Sequence, residues 1–331
     1  MSTLTSRTGR RTKIAASLAL VAGLLYFLDI GSLGSAVTEI KVGYLLLAFA
    51  ILIVNRILMP VKWNLLLRAR AIQLSHFEAV RLYTISSFLG LVLPPTIGAD
   101  SVRSYYIKQA GIKLSDAVAS IVIERVFGLI VLLVFTVVSF FLLVDLLRDG
   151  DIQFAAFAGV LAVLSVALLA ALYLSFTLRF QQLAGSLSAR LQGTRLNKLA
   201  LGADHFVRAY QEYRHKKGIL ALFCGLTALE VTLVIVRGYV VALSLGVDLS
   251  IFVYFAFLPL VSLLNRMPIS FNGFGINEAL FIYFLGMFGV LPEKGFLIGF
   301  INQILFIVSV LPGGIFYVLS NRSEDQSAPI A

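Results

Sequence analysis

Cysteine occurs once in the 331 residues, as Cys224, so no intrachain disulfide can form and the count leaves the redox compartment open. Histidine is almost as scarce. His76, His205 and His215 stand far apart and no His-Glu-x-x-His run is present, which removes the usual basis for a zinc hydrolase. Walker A, dinucleotide-binding and Gly-x-Ser-x-Gly patterns are all missing. No nucleotide-driven energy source is visible, and neither a cofactor nor a metal is expected. Charge is the largest shortage: Asp, Glu, Lys and Arg make up 13% of the chain, where soluble domains have about 25%.

What fills the space is apolar. Hydrophobic residues reach 59%, against about 45–50% in soluble domains, too many for a water-facing surface to cover. Several runs exceed the roughly 18 residues that suggest a bilayer span. The sequence therefore predicts an all-α polytopic membrane protein. Its net charge of +10 is read as loop charge at the cytoplasmic face rather than as a nucleic-acid footprint.

Charges lay out the topology. Residues 1–13 form a basic tail with Arg7, Arg10, Arg11 and Lys13, placing the N-terminus in the cytoplasm, and 14–320 read as one transmembrane domain. The apolar run 14–28 is taken as a retained first helix, with a cleaved signal peptide as its rival. Spans follow at 42–59, 117–144, 154–176, 219–245 and 296–319. Arg56, Lys62, Arg68, Arg70 and Arg81 are read as returning the chain to the cytoplasm after the second. Residues 179–217 carry eight Lys/Arg against Asp204 and Glu212, either a basic amphipathic stretch on the membrane surface or an ordinary basic loop. Residues 321–331 form a polar tail, and the C-terminus is also expected in the cytoplasm.

Two segments break where a span should continue. In "LPPTIGADSVRSYY" (93–106), Pro94, Pro95, Gly98, Asp100 and Arg103 interrupt an apolar run too short to cross, with basic residues on both sides. In "NRMPISFNGFGINEAL" (265–280), Arg266, Pro268, Asn272, Gly273, Gly275, Asn277 and Glu278 do the same. The fold thus reads as about six full spans plus two re-entrant broken-helix elements. The halves, about 42–144 and 219–319, repeat one order in opposite orientation, the pattern of an inverted-topology repeat with a midplane site.

Prolines end one half-helix and Asp100 is expected to cap the next; Gly273 and Gly275 are expected to make the second bend. Half-helix N-termini with Arg103 and Arg266 would suit an anion, phosphate above all. The alternative is two structural kinks with locally capped ends. Further charges lie in apolar runs. Glu230 and Arg237, seven apart, either pair or line a pathway; Glu124 and Arg125 either act in the site or snorkel from a span end.

These motifs resemble the lysylphosphatidylglycerol synthase transmembrane-region family, also called flippase-like integral membrane proteins. The resemblance rests on "VKWNLLLRA" (61–69), "LPPTIGADSVRSY" (93–105), "IVIERVFGLIVLL" (121–133), "PISFNGFGINEAL" (268–280) and "LPGG" (311–314), in order over roughly 42–319. Gly98, Asp100 and Arg103 match the family's first element, with Ala99 where it has a second glycine. Gly273, Gly275 and Glu278 match the second, with Asn272 where glycine is common. The resemblance implies movement or accommodation of a lipid across the cytoplasmic membrane. After Leu319 only "SNRSEDQSAPIA" remains, so the aminoacyl transfer of some relatives is not expected here.

The leading expectation is a translocase for an anionic or phosphate-bearing lipid, a membrane phospholipid or a polyprenyl-linked one, with Asp100 and Glu278 orienting backbone or coupling protons. On that reading Arg103→Ala abolishes lipid movement and leaves the fold intact. Two alternatives stay open: an intramembrane lipid-modifying enzyme, and a non-transporting scaffold for a partner enzyme of the cell envelope docked on 179–217. The sequence leaves the oligomeric state open.

Overall fold

The computed structural model describes residues 22–26, 28, 30–92, 98–109, 111–147, 212–266, 270 and 273–325, with isolated positions between 159 and 170. Pro94, Pro95, Pro268, Asn272, the expected span 154–176, most of the basic stretch 179–217, the tail 1–13 and residues 326–331 lie outside the described residues.

The described residues are helical, without strands. In chain order the helices are α1 (Ile30–Thr38), α2 (Val42–Ala69), α3 (His76–Val92), α4 (Gly98–Gln109) and α5 (Leu114–Leu146). After a short 3₁₀ turn at Tyr213–His215 come α6 (Lys217–Ser244), α7 (Ile251–Leu264), α8 (Ile276–Gly286), α9 (Pro292–Val310) and α10 (Pro312–Asp325). Among the described residues four stretches are long and apolar enough to cross a bilayer: Val42–Ala69, Leu114–Leu146, Lys217–Ser244 and Pro292–Leu319, the last spanning the α9–α10 junction. Leu46, Phe141 and Ile315 are each about two-thirds exposed, as a lipid-facing belt requires. This is an integral membrane protein.

α2 corrects an expected boundary. Pro60 and the neighbouring charges suggested an end near Met59, yet the helix carries Pro60 inside and runs on to Ala69. A proline costs a spanning helix less than a soluble one, because neighbouring helices re-satisfy the freed backbone. Arg56 and Lys62 are therefore embedded in the helix and do not mark its cytoplasmic exit. A second difference is α1, nine helical residues where a plain connection was expected.

α2 and α6 pack along each other at the centre. Around them α3 lies on α10, α7 on α5, α4 on α3 and α5, and α8 on α9. Glycines set the closest approaches. A Cβ at Gly295 would lie 3.0 Å from the Ile282 Cα and one at Gly299 3.0 Å from the Glu278 Cα. These two glycines, four apart on α9, let the backbones of α8 and α9 nearly touch, as small residues do between membrane helices. Gly313 and Gly314 do the same for α10 against Thr84 and Phe88 of α3. The largest apolar cluster joins α6 to α9 around Tyr254, Phe257, Phe281 and Phe284, with Phe257 and Phe284 stacked at 5.5 Å.

At the basic end, Arg70 pairs with Asp116 at the start of α5 and with Glu212 just before α6. The Tyr213 hydroxyl donates to the Leu66 carbonyl at 3.0 Å. Burial pushes this phenol above its ordinary range, which keeps it protonated as a donor. The C-terminal end of the basic stretch is thereby tied to the bundle.

Candidate functional site

The first broken element builds a charged cluster. α4 begins at Gly98, so Asp100 lies in its first turn instead of at the expected cap, still where a helix dipole favours an anion. Its carboxylate receives two bonds from Arg125 of α5: Nε to Oδ2 at 3.0 Å and Nη2 to Oδ1 at 2.8 Å. This fork-to-carboxylate geometry is among the stronger ionic contacts available to a protein. α4 packs tightly on α3, since a Cβ on Gly90 of α3 would sit 2.9 Å from the Ala99 Cβ. The alanine that departs from the family pattern therefore stands against a glycine that leaves it room.

One turn along, Arg103 is 2% exposed. Its Nη1 lies 2.7 Å from Oε2 of Glu124, and its Nη2 bonds Asp100 Oδ1 at 3.3 Å. The guanidinium carbon sits 4.7 Å from the Trp63 ring centroid and 4.9 Å from that of Tyr83, so cation–π attraction adds to the ion pair. The Tyr83 hydroxyl donates to Glu124 Oε1 at 3.0 Å, and Trp63 Nε1 donates to Ser120 Oγ at 3.3 Å. Glu124 is thus buried inside the cluster and does not snorkel, because Arg103 and Tyr83 supply the partners that water would otherwise provide.

Beside this cluster is a cavity of about 270 Å³ lined by α2, α3, α4, α5 and α9. Arg56, Arg103, Arg125, Asp100, Ser86 and Ser87 give it a polar wall, while Met59, Leu91 and Phe306 give an apolar one. A wider groove of about 520 Å³ adjoins it, running along α4 and α5 past Ser101, Ser104, Tyr105 and Lys108 with Val118 and Ile121 opposite. Asp100 and Arg125 belong to both spaces, so their ion pair stands at the boundary.

The second broken element forms a separate knot. Gly273 and Gly275 take φ of +86 and +84, the left-handed region that favours glycine, and α8 starts directly after them. Glu278 is fully buried and its Oε2 accepts from the Gly275 N–H at 2.6 Å, one arm of a capping box. Asn277 accepts from Asn265 Nδ2 at 2.9 Å and donates to the Gly299 carbonyl at 3.0 Å. Arg266 is exposed, within electrostatic reach of Arg125 and Glu230. Glu278→Gln keeps an acceptor for Gly275 and is expected to melt close to wild type. Glu278→Ala loses the cap and about 1 kcal/mol, read as a lower thermal midpoint in detergent; equal midpoints for both variants would refute the capping role.

Glu230 and Arg237 share a helix face without pairing. Glu230 pairs with Lys62 of α2, which also lies 3.3 Å from Thr227 Oγ1, and Arg237 Nε donates to Asn302 Oδ1 of α9 at 3.1 Å. Helices packed this closely offer a partner directly across the interface, nearer than one two turns away. Sequence reasoning passed over Trp63, Tyr83, Asn265 and Asn302, and it treated Arg56 and Lys62 as loop charges. Arg56 carried a usable signal, since it stands with apolar residues over most of both flanks.

The sequence model for the lysylphosphatidylglycerol synthase TM region fits residues 14–313. The chain belongs to this family. The match in this family member takes in both broken elements and reaches Gly313, the point where α10 closes on α3. A UPF0104 membrane protein of Methanothermobacter thermautotrophicus is 23% identical over 293 residues, covering 85% of this chain and 86% of the relative.

Proposed function

We propose that this member of the lysylphosphatidylglycerol synthase TM region family is a flippase-like lipid translocase of the cytoplasmic membrane. It receives the head group of an anionic or phosphate-bearing lipid in the cavity beside Asp100, Arg103 and Arg125. The observation that carries the reading is that cavity: a polar, arginine-lined space in a bilayer-spanning bundle, joined to a groove with an apolar wall. A lipid has the same division, with a charged head for the cavity and acyl chains for the groove. Cavity-facing charges in membrane spans belong to substrate pathways far more often than to lipid-facing surfaces.

An inverted-topology repeat is part of this reading, and the spacing and packing of the helices support it. α6 begins and ends 175 residues after α2 does (217 − 42 and 244 − 69), and α7 begins the same distance after α3. The packing follows the same exchange, with α3 on α10 answering α7 on α5, and α2 on α3 answering α6 on α7. The two broken elements then act as the re-entrant pair, and both termini lie in the cytoplasm by the distribution of basic residues.

The test is a head-group-labelled lipid in proteoliposomes, with a membrane-impermeant quencher added outside. Wild type is expected to expose the inner-leaflet pool. Arg125→Gln, which releases Asp100 and alters both cavities, is expected to slow exposure at least about tenfold. Rates for wild type equal to those of protein-free vesicles would end the translocase reading.

A further inference from the structure

The charges around the cavity do not balance. Asp100 and Glu124 stand against Arg103 and Arg125, and Glu230 against Lys62. Arg56 and Arg237 remain, neither with a carboxylate partner among the described residues, and each lies within electrostatic reach of the other. Arg56 is the fifteenth residue of the 28 in α2, about 21 Å along a helix of about 42 Å, close to the helix midpoint. A cation within a membrane span is costly unless paired; Glu230 is within electrostatic reach of Arg56 but already pairs with Lys62, so Arg56 points to an anion that arrives from outside.

Arg56 is also held in one pose. Its Nε donates to Ser309 Oγ of α9 at 2.9 Å, and its guanidinium carbon sits 4.6 Å from the Phe306 ring centroid. Its Nη2 is buried with no hydrogen-bond partner, and Arg56 lines the cavity, as do Ser86 and Ser87. An arginine stacked on one side, bonded through Nε and with an unfilled Nη2 is prepared for an oxygen anion.

Building on the cavity's reading as a head-group site, we infer that Arg56 anchors a phosphate there and that the site selects a head group of net negative charge. A phosphodiester without an amine supplies the missing charge. A zwitterionic or amine-bearing head group brings its own cation into a space that already holds an excess, and is disfavoured by the like-charge cost. The four charges of the motif cluster shape the cavity; Arg56, outside every motif, sets its selectivity.

The experiment is native mass spectrometry of the full-length protein in detergent with phosphatidylglycerol, with phosphatidylethanolamine of the same acyl chains, and with inorganic phosphate, each alone. Wild type, Arg56→Gln and Arg56→Lys are compared, with thermal midpoints recorded to confirm folding. The expected result is retention of phosphatidylglycerol over phosphatidylethanolamine by wild type, at least about tenfold weaker retention by Arg56→Gln, and intermediate retention by Arg56→Lys. A phosphate adduct on wild type that Arg56→Gln loses, without lipid retention, supports the anchor and identifies a free anion as the source. Equal retention of the two lipids by wild type overturns the selectivity. Equal phosphatidylglycerol retention by wild type and a folded Arg56→Gln overturns the anchor, even if wild type moves lipid in the vesicle assay. Retention that depends on Arg56 without lipid movement leaves the anchor standing and removes the translocase.

Discussion

Arg103→Ala is expected to unfold the protein, lowering its stability by about 3–5 kcal/mol, the usual cost of removing one partner from a buried ion pair. The loss falls on Glu124, which would keep its charge 8% exposed with only the Tyr83 hydroxyl facing it. The stacked contacts on Trp63 and Tyr83 disappear with it, so four helices lose a common junction. The check is the fraction of monodisperse protein surviving a heat ramp in detergent. Arg103→Met with Glu124→Gln, which removes both charges and keeps most of the volume, is expected to recover part of the loss. If Arg103→Ala melts with wild type while lipid movement stops, Arg103 is a ligand-binding group and its ion pair contributes little. That was the expectation from sequence, and the burial of this side chain argues against it.

Gly313→Leu is expected to have a comparable effect by a different route. A side chain there runs into the Thr84 carbonyl, and its Cβ would stand 2.7 Å from the Phe88 Cβ. Backbone cannot step aside as a flexible side chain can, so the cost lies at or above the roughly 1–3 kcal/mol of ordinary overpacking. Relief comes only by separating α10 from α3, the helix that supplies Tyr83, Ser86 and Ser87 to the site. A low yield of monodisperse protein is expected. Gly225→Leu on α6, where nothing lies within 4 Å, should purify like wild type. Normal behaviour of Gly313→Leu would show that α10 does not close on α3.

The turn before α8 was legible because glycine acts locally. Gly273 and Gly275 sit at the positive φ angles that few other residues tolerate, whereas Pro94 and Pro95 lie outside the described residues. The four long spans were legible because about 20 apolar residues have no other stable place, although α2 overran its expected end. Partner choice was not legible. Glu230 and Arg237 looked like a pair on one helix, and only the packing of α2 on α6 showed Lys62 facing Glu230. Glu124 looked like a charge near a span end until Arg103 and Tyr83 were seen to enclose it.

By itself the sequence determined the solvent. A chain 59% hydrophobic and 13% charged belongs in a bilayer, and the turn before α8 falls at its glycines, Gly273 and Gly275. These properties depend on neighbours along the chain, which composition and order specify. Tertiary structure alone decided which charges cancel and which do not. An ion pair forms across helices from different parts of the sequence, so its balance appears only when the helices are packed. Arg56 reads as a loop charge in the sequence, and in the bundle it is a mid-helix cation facing a cavity, because α2 runs past it.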